Sequence, residues 1–390
     1  MRVLLHAQHL SGVGHHVRAL ELARALATAH EVFMLDGGAP VPRAPIAGRF
    51  VRVALPGLRR GPTGLEPLAG GSSLANVLAR RTARAHDVAV RLAPDVVLVE
   101  HYPFSKWELE GEVLALLDGA RPHALAVASV RDIPRQTRHE AVAPAAYRAR
   151  VAATLAARFD VLLVHGDARV TRLADHFADA DALPIPVFET GYVVEPPPPR
   201  VGAPEALLPR GGRYAVASAG GDGELAFLAA CVDAWRRRPR DPRGDDRPLL
   251  VFAGVGATDA DLESLRRRAG DAPVIVSPFR EDFVGALAGA DLSISRAGYN
   301  TCAALLATRR RAVLVPDPRM SDQLERARRF EALALAVVVA RDELDAGALD
   351  GAIEAALGRE APRHDVALDG ANEARRVIEA CRRAGPRSRA

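Results

Sequence analysis

The chain has 390 residues, 49% hydrophobic and 26% charged, with a formal net charge of +4 at pH 7. This length can supply two ordinary hydrophobic cores. The small charge, with arginines interleaved among acids, gives no indication of a nucleic-acid partner. The three cysteines are spaced neither for disulfides nor for zinc. With no secretory leader and no apolar run of about 18 residues, the sequence predicts a cytoplasmic protein without a transmembrane segment.

In the first half, short apolar runs alternate with helical patterns, which predicts a mostly parallel sheet covered on both faces. The first predicted strand spans residues 2–8 and is followed by a helix that starts near His15. Further buried strands are predicted at 31–35, 50–55, 95–100, 124–130, 160–164 and 187–192. Residues 36–76 are rich in glycine and proline and predict a long irregular loop system.

Four consecutive prolines at 196–199 and the polar stretch up to Gly212 predict a linker between domains 1–196 and 204–362. The second half repeats the alternation of strands and helices. Its predicted strands are 213–218, 248–253, 273–277, 292–295 and 312–315, and its predicted helices are 225–237, 260–269, 282–290, 299–307 and 322–333. A last amphipathic helix at about 371–384 is expected to pack back on the first domain.

The loop after the first predicted strand contains Gly12 and Gly14 and leads directly to His15. Ligands of open α/β sheets bind beyond the carboxyl ends of the strands, where this loop lies. Glycine lets the backbone approach a ligand closely, and the positive end of the helix dipole disfavours a charged imidazole. The pattern therefore predicts a neutral His15 that can accept a proton, although a turn that simply carries a surface histidine stays open as an alternative.

Two loops of the second half occupy the same position between a strand and a helix. Backbone N–H groups from Gly298 to Thr301 could bind an anion, or the segment could be a glycine turn with a polar cap. Asp322 and Gln323 could hold sugar hydroxyls, or Asp322 could only cap its helix. A glycine-rich turn at 219–223 is a fourth and weaker element.

Together these loops resemble the GT-B glycosyltransferases related to the enzyme that adds N-acetylglucosamine to the lipid-linked peptidoglycan precursor. Within that superfamily the chain is most similar to a bacterial branch of predicted glycosyltransferases. The matching segments keep the family's order along most of the chain. They are 12–15 with Arg18, 94–100 with Pro103 and Phe104, 131–133, 165–167, 190–193, 295–301, and Asp322 and Gln323 with Arg326 and Ala327.

The resemblance implies two Rossmann-like α/β domains whose mostly parallel sheets face a central cleft. It implies a nucleoside diphosphate sugar, such as a UDP-sugar, on the C-terminal domain and a small-molecule or lipid-linked acceptor on the N-terminal one. The implied donor-binding residues are Gly220, Gly221, Phe279, Arg280, Arg296, Gly298, Tyr299, Asn300, Thr301, Asp322 and Gln323. On the acceptor side the implied base is His15, with Gly14, Arg18, Glu100, His101 and Asp132 as further candidates. No cofactor or metal is implied, because helix dipoles and backbone N–H groups neutralise the leaving diphosphate.

One position departs from the family's pattern. The family's ribose-binding glutamate is matched here by Ala304, and the glycine loop at 219–223 is short. These differences leave open the donor's identity, a sugar-nucleotide-binding protein without transferase activity, and an epimerase on the same fold. A Rossmann oxidoreductase is disfavoured because the third glycine of its fingerprint is missing after Gly14. The acceptor, the oligomeric state and peripheral membrane contact also stay open.

Overall fold

The computed structural model describes residues 1–10, 14–39, 41, 46–61, 63–134, 136–198, 213–220, 224–238, 247–340 and 344–386. The chain forms two compact units. The first comprises Met1–Ser11, His15–Val193 and Val366–Ala390, and the second comprises Gly12–Gly14 and Val194–Asp365. Most of the predicted linker, from 199 to 212, lies outside the described residues. Among the described residues, no helix combines the length and the apolar character needed to cross a membrane.

The first unit alternates strands and helices along most of its length. Its strands are β1 (Arg2–His6), β2 (Glu31–Asp36), β3 (Phe50–Ala54), β4 (Leu58–Gly61), β5 (Gly64–Pro67), β6 (Val96–Glu100), β7 (Leu125–Arg131), β8 (Val161–His165) and β9 (Val187–Glu189). Its first five helices are α1 (Gly14–Ala27), α2 (Leu74–Leu92), α3 (Glu110–Ala120), α4 (Arg138–Val142) and α5 (Pro144–Arg158).

Seven of these strands form one parallel sheet in the order β3-β2-β1-β6-β7-β8-β9. Successive side chains of a strand point to opposite faces. Leu4 of β1 accordingly packs in a core with α2 and α3, whereas Val3 and Leu5 pack in another core with α1. Apolar runs such as 3–5 form strands here because both faces of the sheet are covered by helices.

Two sequence predictions about this unit are wrong. The strands predicted as buried at 50–55 and 187–192 appear as β3 and the shorter β9, whose side chains are exposed or half-buried. These two strands are the edges of the sheet, and each has a partner strand on one side only. The segment 36–76 is not an irregular loop system. It contains β3, the antiparallel hairpin of β4 and β5, and the beginning of α2.

The second unit contains β10 (Ala215–Ser218), β11 (Leu249–Phe252), β12 (Val274–Ser277), β13 (Leu292–Ser295), β14 (Arg311–Leu314) and β15 (Val337–Val338). Its helices are α6 (Leu225–Arg237), α7 (Asp259–Ala269), α8 (Phe283–Gly289), α9 (Tyr299–Thr308), α10 (Ser321–Ala332) and α11 (Ala346–Leu357). The six strands form a parallel sheet in the order β12-β11-β10-β13-β14-β15. The pattern did not predict the two-residue β15 or α11.

The last helix, α12 (Gly370–Ala384), returns to the first unit after the second is complete. Its residues Ala374, Val377 and Ile378 pack in the same core as Val3 and Leu5. The expected α/β class with mostly parallel sheets is confirmed.

Candidate functional site

Both sheets have a point at which the strand order reverses, and ligands of doubly wound folds bind in the crevice at such a point. In the first sheet the reversal lies between β1 and β6, and in the second between β10 and β13. His15, Glu100 and His101 follow the carboxyl ends of β1 and β6, while Gly220 and residues 296–298 follow β10 and β13. These sequence-predicted residues therefore lie at the switch points of their own sheets. The others follow different strands: Asp132 follows β7, Phe279 and Arg280 follow β12, and Asp322 and Gln323 lie in α10 after β14.

At the first switch point, His15 lies in the first turn of α1 beside the carboxylate of Glu100. His15 Nδ1 and Glu100 Oε2 are 3.9 Å apart, which is longer than a hydrogen bond. Arg18, one turn further along α1, donates from Nε to Glu100 Oε1 at 3.0 Å. The His15 side chain is 18% exposed and that of Glu100 only 2%. His15 is thus the member of the group that retains access to solvent, and Arg18 holds the carboxylate beside it.

His101 completes this group through an unusual backbone conformation. Its φ of 64° lies in the left-handed region, which costs a residue other than glycine roughly 1–3 kcal/mol and is concentrated at functional sites. Arg18 Nη2 lies 2.7 Å from His101 Nε2, and the rings of His15 and His101 meet edge to face with centroids 4.3 Å apart. Because a guanidinium only donates, Nε2 of His101 must accept and the ring proton must be on Nδ1.

The electrostatics of this group favour neutral histidines. Burial, followed by the charges of Arg131, His101, Lys106 and Arg18, lowers the pKa of His15 well below its ordinary value. Burial and the charge of Arg18 likewise lower the pKa of His101. The prediction of a neutral His15 thus agrees with its surroundings, but the main cause is desolvation and not the helix dipole on which the sequence argument relied. The nearby cations also oppose a metal ion at the His15, Glu100 and His101 ligand atoms, although these lie within 4.8 Å of one another.

Lys106 is a neighbour that sequence reasoning did not assign to the site. Its Nζ donates to the carbonyl of Gln8 at 3.3 Å, and burial lowers its pKa to about 8. One feature of the sequence could have singled it out, because Lys106 is the only lysine of the chain.

Asp132 is fully buried and has structural partners. Its Oδ1 accepts from the backbone N–H of Ile133 at 2.7 Å, and its Oδ2 accepts from the Tyr192 hydroxyl at 2.9 Å. Both carboxylate oxygens are therefore engaged in hydrogen bonds within the first unit. Of the acceptor-side candidates, Arg18, Glu100 and His101 contact one another, Gly14 begins α1, and Asp132 belongs to this separate pair.

At the second switch point, backbone lies open where α9 begins. Gly298 is the N-cap of α9, with φ −69° and ψ 150°, and a Cβ added there would meet no atom within 4 Å. Its φ is therefore not the left-handed value that would by itself require glycine. Asn300 and Thr301 are half-buried in the first turn of the helix, where the first N–H groups have no acceptor within the helix itself.

Several predicted donor-binding side chains are instead buried in structural contacts. Arg296 is 5% exposed, donates from Nη1 to the Val315 carbonyl at 2.9 Å and pairs with Glu224. Asp322 is 1% exposed and lies 3.3 Å from Arg326. Tyr299 is buried as well.

The remaining predicted donor residues are more accessible. Phe279 and Arg280 are half-buried after β12, and Arg280 pairs with Asp282 at 2.8 Å. Gln323 Oε1 accepts from the Asp317 N–H at 3.1 Å. Gly220 follows β10 with φ +79° and open space around it, which suits a close backbone approach, whereas Gly221 lies outside the described residues.

Ala304, the position at which the sequence departs from the family's glutamate, lies inside α9. Its side chain is buried and belongs to the apolar face of that helix. No carboxylate is available at this position, so any contact with a ribose must come from elsewhere.

Comparison with known proteins gives a family for part of the chain. Residues 242–375 match the glycosyltransferase family 28 C-terminal domain. A segment of 80 residues is 39% identical to the UDP-N-acetylglucosamine–N-acetylmuramyl-(pentapeptide) pyrophosphoryl-undecaprenol N-acetylglucosamine transferase of Magnetococcus marinus. This match covers 20% of the chain and 22% of that relative. The chain thus matches about a fifth of the relative's length.

Solved structures extend the similarity to the whole fold. MurG of Acinetobacter baumannii matches with a TM-score of 0.55 and 17% identity, over 97% of this chain and 98% of that one. TcCGT1 in complex with UDP matches with a TM-score of 0.62 and 12% identity, over 97% and 94%. The resemblance found in the sequence is thereby confirmed: the chain has the GT-B fold and is related to the glycosyltransferases that include the peptidoglycan-precursor N-acetylglucosaminyltransferases.

Proposed function

We propose that this protein is an inverting glycosyltransferase that moves a sugar from a nucleoside diphosphate sugar, in the first instance a UDP-sugar, to an acceptor hydroxyl or amine. The second unit binds the donor and the first unit binds a small-molecule or lipid-linked acceptor. The reaction requires no metal ion.

The observation that carries this proposal is the open helix start at Gly298. It lies at the switch point of the second sheet, inside the segment that matches family 28. The first turn of α9 has N–H groups without an acceptor inside the helix and a positive dipole end, and both stabilise a diphosphate as its charge grows during bond cleavage. The name of the related transferase includes UDP-N-acetylglucosamine, which supports a uridine nucleotide as the donor here.

His15 acts in the proposal as the general base. The acceptor oxygen or nitrogen attacks the anomeric carbon, the bond from that carbon to the diphosphate breaks, and His15 takes the acceptor's proton. A single displacement of this kind inverts the anomeric configuration. Burial keeps His15 neutral and able to accept, and Glu100, 3.9 Å away, stabilises the imidazolium that forms.

Thermal unfolding with nucleotides tests the donor site. UDP and dTDP at millimolar concentration should raise the melting temperature of the full chain, equally in the presence of EDTA. A stabilisation that disappears with EDTA would contradict the metal-free diphosphate site. Stabilisation by NAD and not by the nucleoside diphosphates would favour a dinucleotide enzyme.

Product analysis separates transfer from the alternatives. Incubation with UDP-N-acetylglucosamine and candidate acceptors should release UDP and yield a product of inverted anomeric configuration. Conversion of the sugar nucleotide to its epimer in the absence of an acceptor would identify an epimerase. Binding without turnover across an acceptor panel would favour a binding protein, the alternative that Ala304 motivates.

A further inference from the structure

A second cluster of histidines lies near the first switch point and shares no residue with the group around Glu100. His9 is in the loop after β1, His16 is in the first turn of α1, and Asp36 is the last residue of β2. Their ligand-type atoms, one per residue, all lie within 4.8 Å of one another. The adjacent residues His15 and His16 thus belong to two different groups, one with Glu100 and His101 and one with His9 and Asp36.

The hydrogen bond of His9 fixes which ring nitrogen is free to bind a ligand. Its Nε2 lies 2.7 Å from the carbonyl oxygen of Ala39, which can only accept. Nε2 therefore carries the proton, and the neutral ring presents a lone pair at Nδ1. Nδ1 is buried and has no hydrogen-bond partner among the described residues. A histidine whose second nitrogen donates to a carbonyl is the usual arrangement of a metal ligand.

The surroundings hold His9 rigidly in this orientation. A Cβ added to Gly38 would lie 2.4 Å from the imidazole, so the backbone there packs directly against the ring. The His9 and His16 rings lie with centroids 4.6 Å apart, and the side chain of His9 is 4% exposed. An unpaired polar nitrogen in such a buried position carries a desolvation cost that a ligand would remove.

The cluster is slightly wider than an occupied zinc site. His9 Nδ1 and Asp36 Oδ1 are 4.0 Å apart, whereas two ligand atoms of a tetrahedral Zn²⁺ with bonds of about 2.0–2.1 Å lie about 3.3 Å apart. Binding therefore requires the 19% exposed side chain of Asp36 to move toward the histidines. The charge balance is suitable, because Asp36 supplies a negative charge. The cation that faces it, Arg52, lies 3.9 Å away and is 40% exposed.

We propose that His9, His16 and Asp36 form a site for one divalent transition-metal ion of the Zn²⁺ class. Two imidazoles and one carboxylate are the ligands that Zn²⁺ takes when a fourth position stays with water. The ion ties together the carboxyl ends of β1 and β2 and the start of α1, and thereby fixes the helix that carries His15. It lies within the first unit and takes no part in binding the diphosphate.

Zn²⁺ itself is the probe for the test. The full-length chain, first stripped with EDTA and dialysed, is titrated with ZnCl₂ in competition with a chromophoric chelator. We expect one equivalent to bind in the wild type. His9→Gln, His16→Gln and Asp36→Asn should each weaken binding by more than the roughly 10–100-fold that loss of an outer-shell partner costs. His123→Gln, which changes an exposed histidine of the same unit, is the matched control and should bind like the wild type.

The variants also distinguish this site from a simple ion pair and from metal binding at the neighbouring histidine cluster. Asp36→Asn changes the most exposed of the three ligands, so it tests the site even if a histidine variant fails to fold. Absence of saturable binding by the wild type would overturn the proposal and leave a His9–Asp36 ion pair. Binding that persists in the three variants but disappears in His15→Gln would assign the metal to the cluster of His15 and Glu100 and overturn it as well.

Discussion

The two switch points have the same strand order but differ in the groups that surround them, which are side chains in the first unit and backbone in the second. In the first unit, buried side chains gather around His15, and Arg18 bonds both Glu100 and His101. In the second unit, the backbone at Gly220 and Gly298 has open space around it, while Arg296 is buried in contacts with the Val315 carbonyl and Glu224. The same topology therefore carries positioned side chains at one switch point and open backbone at the other.

The difference predicts different sensitivities. A site of side chains is lost when one of them is truncated or changes its protonation state. A site of backbone groups tolerates many side-chain changes but is lost when an added Cβ blocks the approach of the ligand.

His15→Ala should lower turnover by about 10²–10⁴-fold, the usual contribution of a general base. The dissociation constant for UDP should change little, because donor binding is assigned to the other unit. Turnover with a competent acceptor and calorimetric UDP binding are the measurements. The exposed His123→Ala is the control and should retain both properties. Full turnover in His15→Ala, with turnover lost in His16→Ala, would contradict the assignment, since the two side chains belong to different clusters.

Gly298→Val should weaken UDP binding by at least about tenfold while the fold is retained. A Cβ at this position meets no protein atom within 4 Å and φ is −69°, so the substitution should obstruct the ligand without straining the backbone. Gly351→Val is a suitable control, because a Cβ at Gly351 in α11 also has open space. UDP affinity by calorimetry and the melting temperature without nucleotide are compared for both variants. Unchanged affinity in Gly298→Val would place the anion site elsewhere.

The sequence predicted the repeated elements well because each depends on local pattern. Apolar runs such as 292–295 and helical periodicity such as Leu225–Arg237 were placed within a few residues. The order of strands in each sheet depends on contacts between residues distant in sequence, so the hydrophobic periodicity does not predict that order. The two-residue β15 and the short hairpin of β4 and β5 were missed because so few residues carry little periodic signal.

Side-chain roles at the site were harder to predict than its location. Arg296 and Asp322 have the charge to bind a sugar nucleotide, but the same groups can satisfy a buried carbonyl or a neighbouring ion pair. Sequence cannot distinguish these uses, because burial decides between them. The cluster of His9, His16 and Asp36 was missed for a related reason, since β1, α1 and β2 bring its members together only in the fold.

A last prediction concerns stability at mildly acidic pH. Burial lowers the pKa of His15, His101 and His165 well below the ordinary value. Below a pH of about 6.5 the unfolded chain takes up protons at these positions and the folded chain does not. Stability is therefore complete above that pH and declines as the pH falls below it, by at most about 1.4 kcal/mol per pH unit for each histidine.

The two tryptophans allow this effect to be measured for each unit. Trp107 lies in the first unit, which holds the three histidines, and Trp235 lies in the second. Urea unfolding followed by fluorescence in Trp235→Phe and Trp107→Phe variants reports each unit alone at pH 7.5, 6.5 and 5.5. His165→Gln removes the imidazole that bonds Ser129 and Thr190. This variant should reduce the pH dependence of the first unit's free energy of unfolding by the contribution of one histidine. An equal loss of stability in both units would show that the buried histidines are not its cause, because all three lie in the first unit.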